Sequence, residues 1–381
     1  MSAESFVVGV GMTPFGRMKE RSFESIGQEA VLKALKDAGI ERHQVDEVFC
    51  GSALTGRSMG QRVLRDIGMT GMPITNVENA CSSGSTALRD ACTAVAAGRA
   101  ETILVLGIDQ LSRLGGGTIP QLESDFDPNL GMVMPALYAM RARRYLHERG
   151  ATSEHLARVA VKAHEAGKHN PYAQYRNDIT VEDVLASRMI ADPLTLMMCC
   201  PTGDGAAAAV VTTRKRAQAL GRPLIRVAAT ALQSGVYKTG FRDMVQSELT
   251  MRTAKLAYEA AGIGPEDVNL AEIHDAFAIA ELMYYEALGF CEPGGGPALL
   301  DSGATRINGA KCVNPSGGLL CRGHPVGATG IAQLCEAVWQ LRGEAGARQV
   351  EGARVALTHC TGGGVAGLDH GSCAINVLVA G

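Results

Sequence analysis

The sequence predicts an α/β protein of two duplicated halves, with a long excursion inserted between them. Three observations predict it. Apolar β-rich runs alternate with helical patterns, as in βαβ units. The text around Lys33 recurs around Lys255. Between the halves, residues 111–200 break the alternation.

Phe6–Gly11 reads as a strand, and Phe23–Ala38 as a helix with Ile26, Ala30, Ala34 and Ala38 on one stripe and Gly39 as its stop. Val45–Gly51 and Ile74–Asn79 read as further strands. A tight turn and the small-residue helix Gly84–Ala97 follow. Thr102–Gly107 is continuous and apolar, as expected of a strand buried on both faces of a largely parallel sheet. The second half repeats this plan. Gly262 stands to Val268 as Gly39 stands to Val45, and the helix after Gly327 with strand Val355–His359 echoes the helix at Gly84 with strand Thr102–Gly107. The halves are placed at 1–110 with 201–221, and at 222–381. The excursion 111–200, with Met132, Met134 and Met140 and Arg/His-rich helices, reads as a cap or substrate-binding region; an oligomer-forming insertion is the alternative.

Composition narrows the function. The 381 residues are 46% hydrophobic and 20% charged, a globular balance, and the formal charge of −3 offers no basic field for nucleic acid or anionic membrane. No apolar run reaches the length of a membrane span, and the N-terminus lacks a signal-peptide pattern. The eleven cysteines are thinly spread, several in apolar runs, which points to a reducing compartment, the cytosol by default.

Four turns carry candidate chemistry. Cys81, in Asn79-Ala80-Cys81-Ser82-Ser83-Gly84, sits between a buried strand and a helix start, where helix amides favour a thiolate; a packed core thiol is the competing reading. His324, in Gly323-His324-Pro325-Val326-Gly327-Ala328-Thr329-Gly330, is pinned by glycines and a proline, as a proton acceptor or oxyanion donor needs. A phosphate-cradling loop is the rival there, but no Walker lysine follows. Cys360 begins Cys360-Thr361-Gly362-Gly363-Gly364 after a strand: it could be a second acid/base, with Gly362 offering an amide, or the run could be a plain turn. His274, in His274-Asp275-Ala276-Phe277, falls where strand Val268–Ile273 gives way to helix, a place where polar residues often serve a pocket; a structural histidine is the competing reading. No two of these four show metal-ligand spacing, so no metal site is expected.

At these positions the sequence resembles the thiolase family. ENACSSG is similar to its nucleophile motif, GHPVGATG to its catalytic-histidine motif, CTGGG to its C-terminal CxG motif, and HDAF to the HDxF of the sterol-carrier-protein-linked branch. NPYAQYR at Asn170–Arg176 and ADPLTLMMCCPTGDGAAAAVV at Ala191–Val211 agree with that branch, and the resemblance covers essentially the whole chain. It implies a thiolase-like fold in αβαβα layers with a loop domain over the site, a homodimer or homotetramer, and coenzyme A thioesters as substrates. No tightly bound cofactor is implied; coenzyme A or acetyl-CoA is the co-substrate. Cys81 would take the acyl group, His324 would activate it and help form one oxyanion hole with support from His274, and Cys360 would move the α-carbon proton. The backbone amides of Cys81 and Gly362 would form the second hole. The implied reaction is reversible Claisen condensation or thiolytic cleavage of a 3-oxoacyl-CoA. Two departures stand out. The HDxF branch often has cysteine where this chain has Ala276, and the segment after CTGGG is longer than the usual turn. The alternatives are a related ketosynthase, C–C lyase or acyltransferase on the same scaffold, or a subunit that works with a small partner protein.

Overall fold

The structure, a computed structural model, describes residues 4–115, 117–119, 126–239, 242–365 and 368–381. The first half runs β1 (Ser5–Met12), α1 (Phe23–Ala38), β2 (Glu47–Gly51), α2 (Met59–Arg65), β3 (Ile74–Val77), α3 (Ser83–Ala96) and β4 (Thr102–Gln110). The chain then leaves the sheet for α4 (Phe126–Asn129), α5 (Met134–Arg149), α6 (Ser153–Gly167), α7 (Val181–Ala186) and the hairpin β5 (Met189–Ala191) and β6 (Leu194–Thr195). It returns as β7 (Asp204–Thr213) and α8 (Arg214–Ala219). The second half runs β8 (Ile225–Ser234), α9 (Glu248–Ala261), β9 (Leu270–Glu272), α10 (Ala278–Ala287), α11 (Gly296–Asp301), β10 (Cys312–Val313), α12 (Gly318–Arg322), α13 (Thr329–Arg342), β11 (Val355–Gly362) and β12 (Ser372–Ala380).

The strand order is β10-β9-β11-β12-β8-β1-β7-β4-β2-β3. Read from its centre, where β1 pairs with β8, the order is the same in both directions: each strand of one half has its counterpart at the same distance in the other. The repeat seen in the sequence is therefore a repeat of architecture. The sheet is not largely parallel, however. The neighbours β2–β3, β2–β4, β9–β10 and β9–β11 are parallel, while β1–β7, β4–β7, β1–β8, β8–β12 and β11–β12 are antiparallel. The physical reason is connection type. Parallel neighbours need a crossover helix, but β12 follows β11 through a short loop and β7 re-enters after the excursion.

Both faces of the sheet are covered, giving the layered αβαβα packing. On β4, Ile103 and Val105 pack against α3 and α13, while Leu104, Leu106 and Ile108 face α1 and α2. Leu270 of β9, Ala356 of β11 and Leu378 of β12 join the same central cluster from the second half, so α3 and α13 form the middle layer. The alternating glycines of β1 have a role in this packing. A Cβ on Gly9 would lie 2.4 Å from the Ala34 carbonyl oxygen, and one on Gly11 would lie 2.5 Å from the Ala34 nitrogen. The alanine stripe of α1 thus rests directly on strand backbone, which is why this helix seats so closely on β1. Ser22 caps α1 through the Ser25 amide, and Gly39 ends it at φ 71°. Among the described residues no helix is long and apolar enough to cross a membrane.

Candidate active site

The turn between β3 and α3 is tied down at each residue. Asn79 N–H donates to Ser83 Oγ at 2.9 Å, and Ser83 Oγ donates to the Ala80 carbonyl at 2.6 Å. Ala80 is held at φ 48°, a left-handed conformation that costs a non-glycine residue about 1 kcal/mol or more. That strained turn presents Cys81 two residues before α3 begins.

Across the site, His324 leaves α12 at Gly323, and its Nε2 lies 3.3 Å from Cys81 Sγ. Its other nitrogen decides its chemistry. The one hydroxyl proton of Thr329 goes to the Pro325 carbonyl at 2.9 Å, so toward His324 Nδ1, at 2.7 Å, the Thr329 oxygen accepts. The His324 proton is therefore on Nδ1, and its Nε2 lone pair faces the thiol. Burial lowers the His324 pKa to about 3, helped by the Arg322 charge. Burial raises Cys81 to about 12, with the Asp109 carboxylate adding to the rise. The helix-start reading favoured a thiolate; burial and Asp109 override it, so the resting pair is neutral thiol and neutral imidazole.

Cys360 lies inside β11, where it pairs with Ala374 of β12, and not in a turn after the strand. Its S–H donates to the Cys81 carbonyl at 2.9 Å, and Ser82 Oγ donates to the Cys360 carbonyl at 3.0 Å. His274 Nδ1 is 3.2 Å from Cys360 Sγ. The His274 ring meets the His324 ring edge-on, centroids 5.0 Å apart. The fold thus brings all four expected side chains together. Gly362 packs against the Cys81 turn: a Cβ there would lie 2.5 Å from the Asn79 carbonyl oxygen. The backbone amides of Gly363 and of Cys81 itself act to lower the Cys81 pKa, against the larger rise from burial. Residues 366 and 367 of the extended segment that follows lie outside the described residues. Cys81 Sγ and one nitrogen each of His274 and His324 lie within 4.8 Å of one another, a set that spacing did not announce and that would suit a soft divalent cation as well as proton transfer.

These groups open on a cavity of about 510 Å³, lined by Cys81, His274, His324, Tyr138 and Phe277 among others. Tyr138 comes from α5 in the excursion, stacks on Phe277 at 4.5 Å and is hydrogen-bonded to His370 Nε2 at 2.9 Å. The return segment of the excursion joins the site through Cys200, whose N–H donates to the Ala276 carbonyl at 2.9 Å. A cavity of about 530 Å³ beside Tyr258 and Leu288 holds none of these four side chains.

Sequence reasoning missed Thr329, Ser82, Gly363 and Asp109. Asp109 is fully buried at the end of β4 and accepts from Ala53 N, Leu54 N and Gly327 N at 3.1, 3.0 and 2.6 Å, besides the hydroxyls of Ser52 and Thr55. It ties the β2 end of the first half to the histidine turn of the second. A buried carboxylate beside a motif carries no local signature; the acid following strand Thr102–Gly107 was the available hint.

The buried histidines carry a pH signature. His359 Nδ1 accepts the His274 backbone N–H at 3.4 Å and its Nε2 donates to Thr250 Oγ1 at 3.1 Å. Burial lowers its pKa to about 3, with the His370 charge adding to the fall. Between pH 6.5 and 3 the unfolded chain holds a proton on this group and the folded protein does not. Stability from this residue is therefore complete above pH 6.5 and falls as pH falls, by about 1.4 kcal/mol per pH unit. Asp275, raised by burial, acts in the opposite sense, so the test is a difference. The pH slope of the denaturant midpoint between pH 6 and 4 is expected to be shallower by about one proton in His359→Gln than in wild type; equal slopes would refute it.

The chain belongs to the thiolase family. The thiolase N-terminal domain model matches residues 5–215 and the thiolase C-terminal domain-like model matches residues 234–369. The chain is 45% identical over 366 residues to the benzoylsuccinyl-CoA thiolase subunit BbsB of Thauera aromatica, covering 94% of each chain. It is 41% identical to an acetyl-CoA acetyltransferase of Methanothermobacter thermautotrophicus, covering 94% of this chain and 96% of that one. It is 39% identical to human sterol carrier protein 2, covering 94% of this chain and 69% of that one. Among solved structures, the Ltp2-ChsH2(DUF35) aldolase superposes with a TM-score of 0.86 at 29% identity, over 99% of this chain and 98% of that one. The protein is thus a thiolase-type acyltransferase.

Proposed function

We propose that this enzyme makes or cleaves the C–C bond of a 3-oxoacyl-CoA through an acyl-cysteine on Cys81. The observation that carries the reading is the thiol–imidazole pair whose tautomer Thr329 fixes, placed on the wall of a cavity. On attack, the Cys81 sulfur bonds the 3-oxo carbonyl carbon while its proton passes to His324 Nε2. The resulting Nε2–H and the amides of Cys81 and Gly363 face the negative oxygen that develops. Each such donor supplies about 3 kcal/mol of transition-state stabilisation. The His274–Cys360 pair handles the α-carbon proton of the acetyl-CoA half.

The cavity supports an acyl group larger than acetyl: Tyr138, Phe277, Met134 and Leu196 give it apolar walls. Coenzyme A serves as co-substrate and no tightly bound cofactor is required. β3 is the outermost strand on its side of the sheet and its Thr75 and Asn76 are exposed, which supports pairing with a second copy in a homodimer or homotetramer. A small partner protein is the further assembly we propose, because one relative is named a subunit and the similar aldolase is named with a DUF35 protein. A cytoplasmic location fits its eleven free cysteines, and acyl-CoA substrates would place the enzyme in lipid metabolism.

The test is to mix the purified chain with coenzyme A and either acetoacetyl-CoA or an aryl-substituted 3-oxoacyl-CoA. Acyl-Cys81 by intact mass, with acetyl-CoA as product, is expected, and faster turnover on the bulkier ester. Turnover that appears on adding a DUF35-type partner establishes the heteromeric form. C–C cleavage to a free aldehyde or ketone with no acyl-enzyme would replace the thiolase reading by an aldolase one.

A further inference from the structure

We infer that His274 exchanges the proton with the α-carbon of the acetyl-CoA half, and that Cys360 positions it. This rests on the acyl-cysteine reading above but divides the pair in a way the motifs do not.

Cys360 is poorly placed to meet substrate. It is fully buried, sits within β11 and is not among the residues that line the cavity. Its S–H is committed to the Cys81 carbonyl at 2.9 Å. A sulfur whose one proton is donated elsewhere can only accept from His274 Nδ1, 3.2 Å away. His274 therefore carries its proton on Nδ1 and has an Nε2 lone pair to offer. Unlike Cys360, His274 lines the cavity, beside Ala276, whose methyl group cannot move a proton. Its second backbone anchor is His359, which accepts the His274 N–H. The ring is thus held from Nδ1 and from its own amide.

In the condensing direction His274 Nε2 takes a proton from the acetyl-CoA methyl group. The C–H electron pair forms the new C–C bond to the acyl carbonyl carbon on Cys81. The C–S bond then breaks, its electron pair returns to the Cys81 sulfur, and the proton passes from His274 through His324 Nε2 to that sulfur; one nitrogen of each ring and the Cys81 sulfur lie within 4.8 Å of one another. Cleavage is the reverse: protonated His274 delivers to the carbon of the departing enolate.

The test separates two half-reactions in D₂O: acylation of Cys81 by acetyl-CoA, read by intact mass, and deuterium wash-in to the acetyl-CoA methyl group, read by mass spectrometry. His274→Ala is expected to lose wash-in and C–C bond formation by about 10²-fold or more while Cys81 still acylates. Cys360→Ser, which keeps a donor and an acceptor at that site, is expected to retain wash-in within about tenfold, and Cys360→Ala to fall below Cys360→Ser. Wash-in abolished in Cys360→Ser but kept in His274→Ala would overturn the assignment. So would loss of Cys81 acylation in a folded His274→Ala, verified by its circular dichroism and melting. A wild type that never acylates would instead refute the acyl-cysteine reading, an outcome the control shows by itself.

Discussion

Cys81→Ala is expected to form no acyl adduct and to lose turnover by at least about 10⁴-fold. Cys81 Sγ faces His324 Nε2 at 3.3 Å on the cavity wall, the placement that the proposed nucleophile needs. The other ten cysteines are free thiols, but none is paired with an imidazole in that way among the described residues; Cys360 meets His274 from behind the wall. The loss is expected in kcat and not in folding. An alanine at position 81 removes no side-chain hydrogen bond that ties the turn, because Asn79, Ser82 and Ser83 do that. Intact-mass spectrometry with acetyl-CoA, beside a thermal melt, checks both parts. An acyl mass on the variant would move the nucleophile elsewhere.

Asp109→Ala is expected to destabilise the fold by roughly 3 kcal/mol or more and to slow Cys81 acylation about 100-fold. Three backbone amides, Ala53, Leu54 and Gly327, lose their acceptor in a buried place. The Gly327 amide belongs to the turn that carries His324, so the imidazole loses its placement. Removing the carboxylate also acts on the thiol in the opposite sense. Asp109 holds the Cys81 pKa up, so its removal lowers that pKa and increases alkylation of Cys81 by iodoacetamide near neutral pH. The joint outcome, a more reactive thiol in a slower enzyme, distinguishes lost positioning from lost nucleophilicity. A variant with unchanged acylation and denaturant midpoint would show that Asp109 is spectator charge.

How much of this was legible in the sequence depends on how local each cause is. The bounds of α1 coincide with those read from the sequence because Ser22, the alanine stripe and Gly39 act within the helix itself. Cys81, His274, His324 and Cys360 could be named from their turns, and the fold does gather them. Cys360, however, was read outside its strand, because a glycine run looks like a turn until β12 pairs with it as far as Gly362 and Ser372. The sheet's mixed direction was hidden because strand direction depends on how distant segments reconnect. The thiol's raised pKa was invisible too: burial and Asp109 are supplied by contacts far along the chain, and they outweigh the local helix start. Thr329 stood inside a motif already noted, yet its meaning, fixing which imidazole nitrogen is free, needed the Pro325 carbonyl in place.

The mirrored strand order has a consequence for the origin of the chemistry. The two central helices begin alike: Gly84 is the second residue of α3 and Gly330 the second of α13. They meet there, since a Cβ on Gly84 would lie 2.7 Å from the Gly327 carbonyl oxygen and one on Gly330 would lie 2.2 Å from Ser85 Oγ. Each repeat places its helix start at the same junction, but one kept the thiol and the other the imidazole. The thiol and the imidazole that face each other at 3.3 Å therefore come one from each repeat. Neither repeat holds the pair by itself, so only the joined chain assembles it.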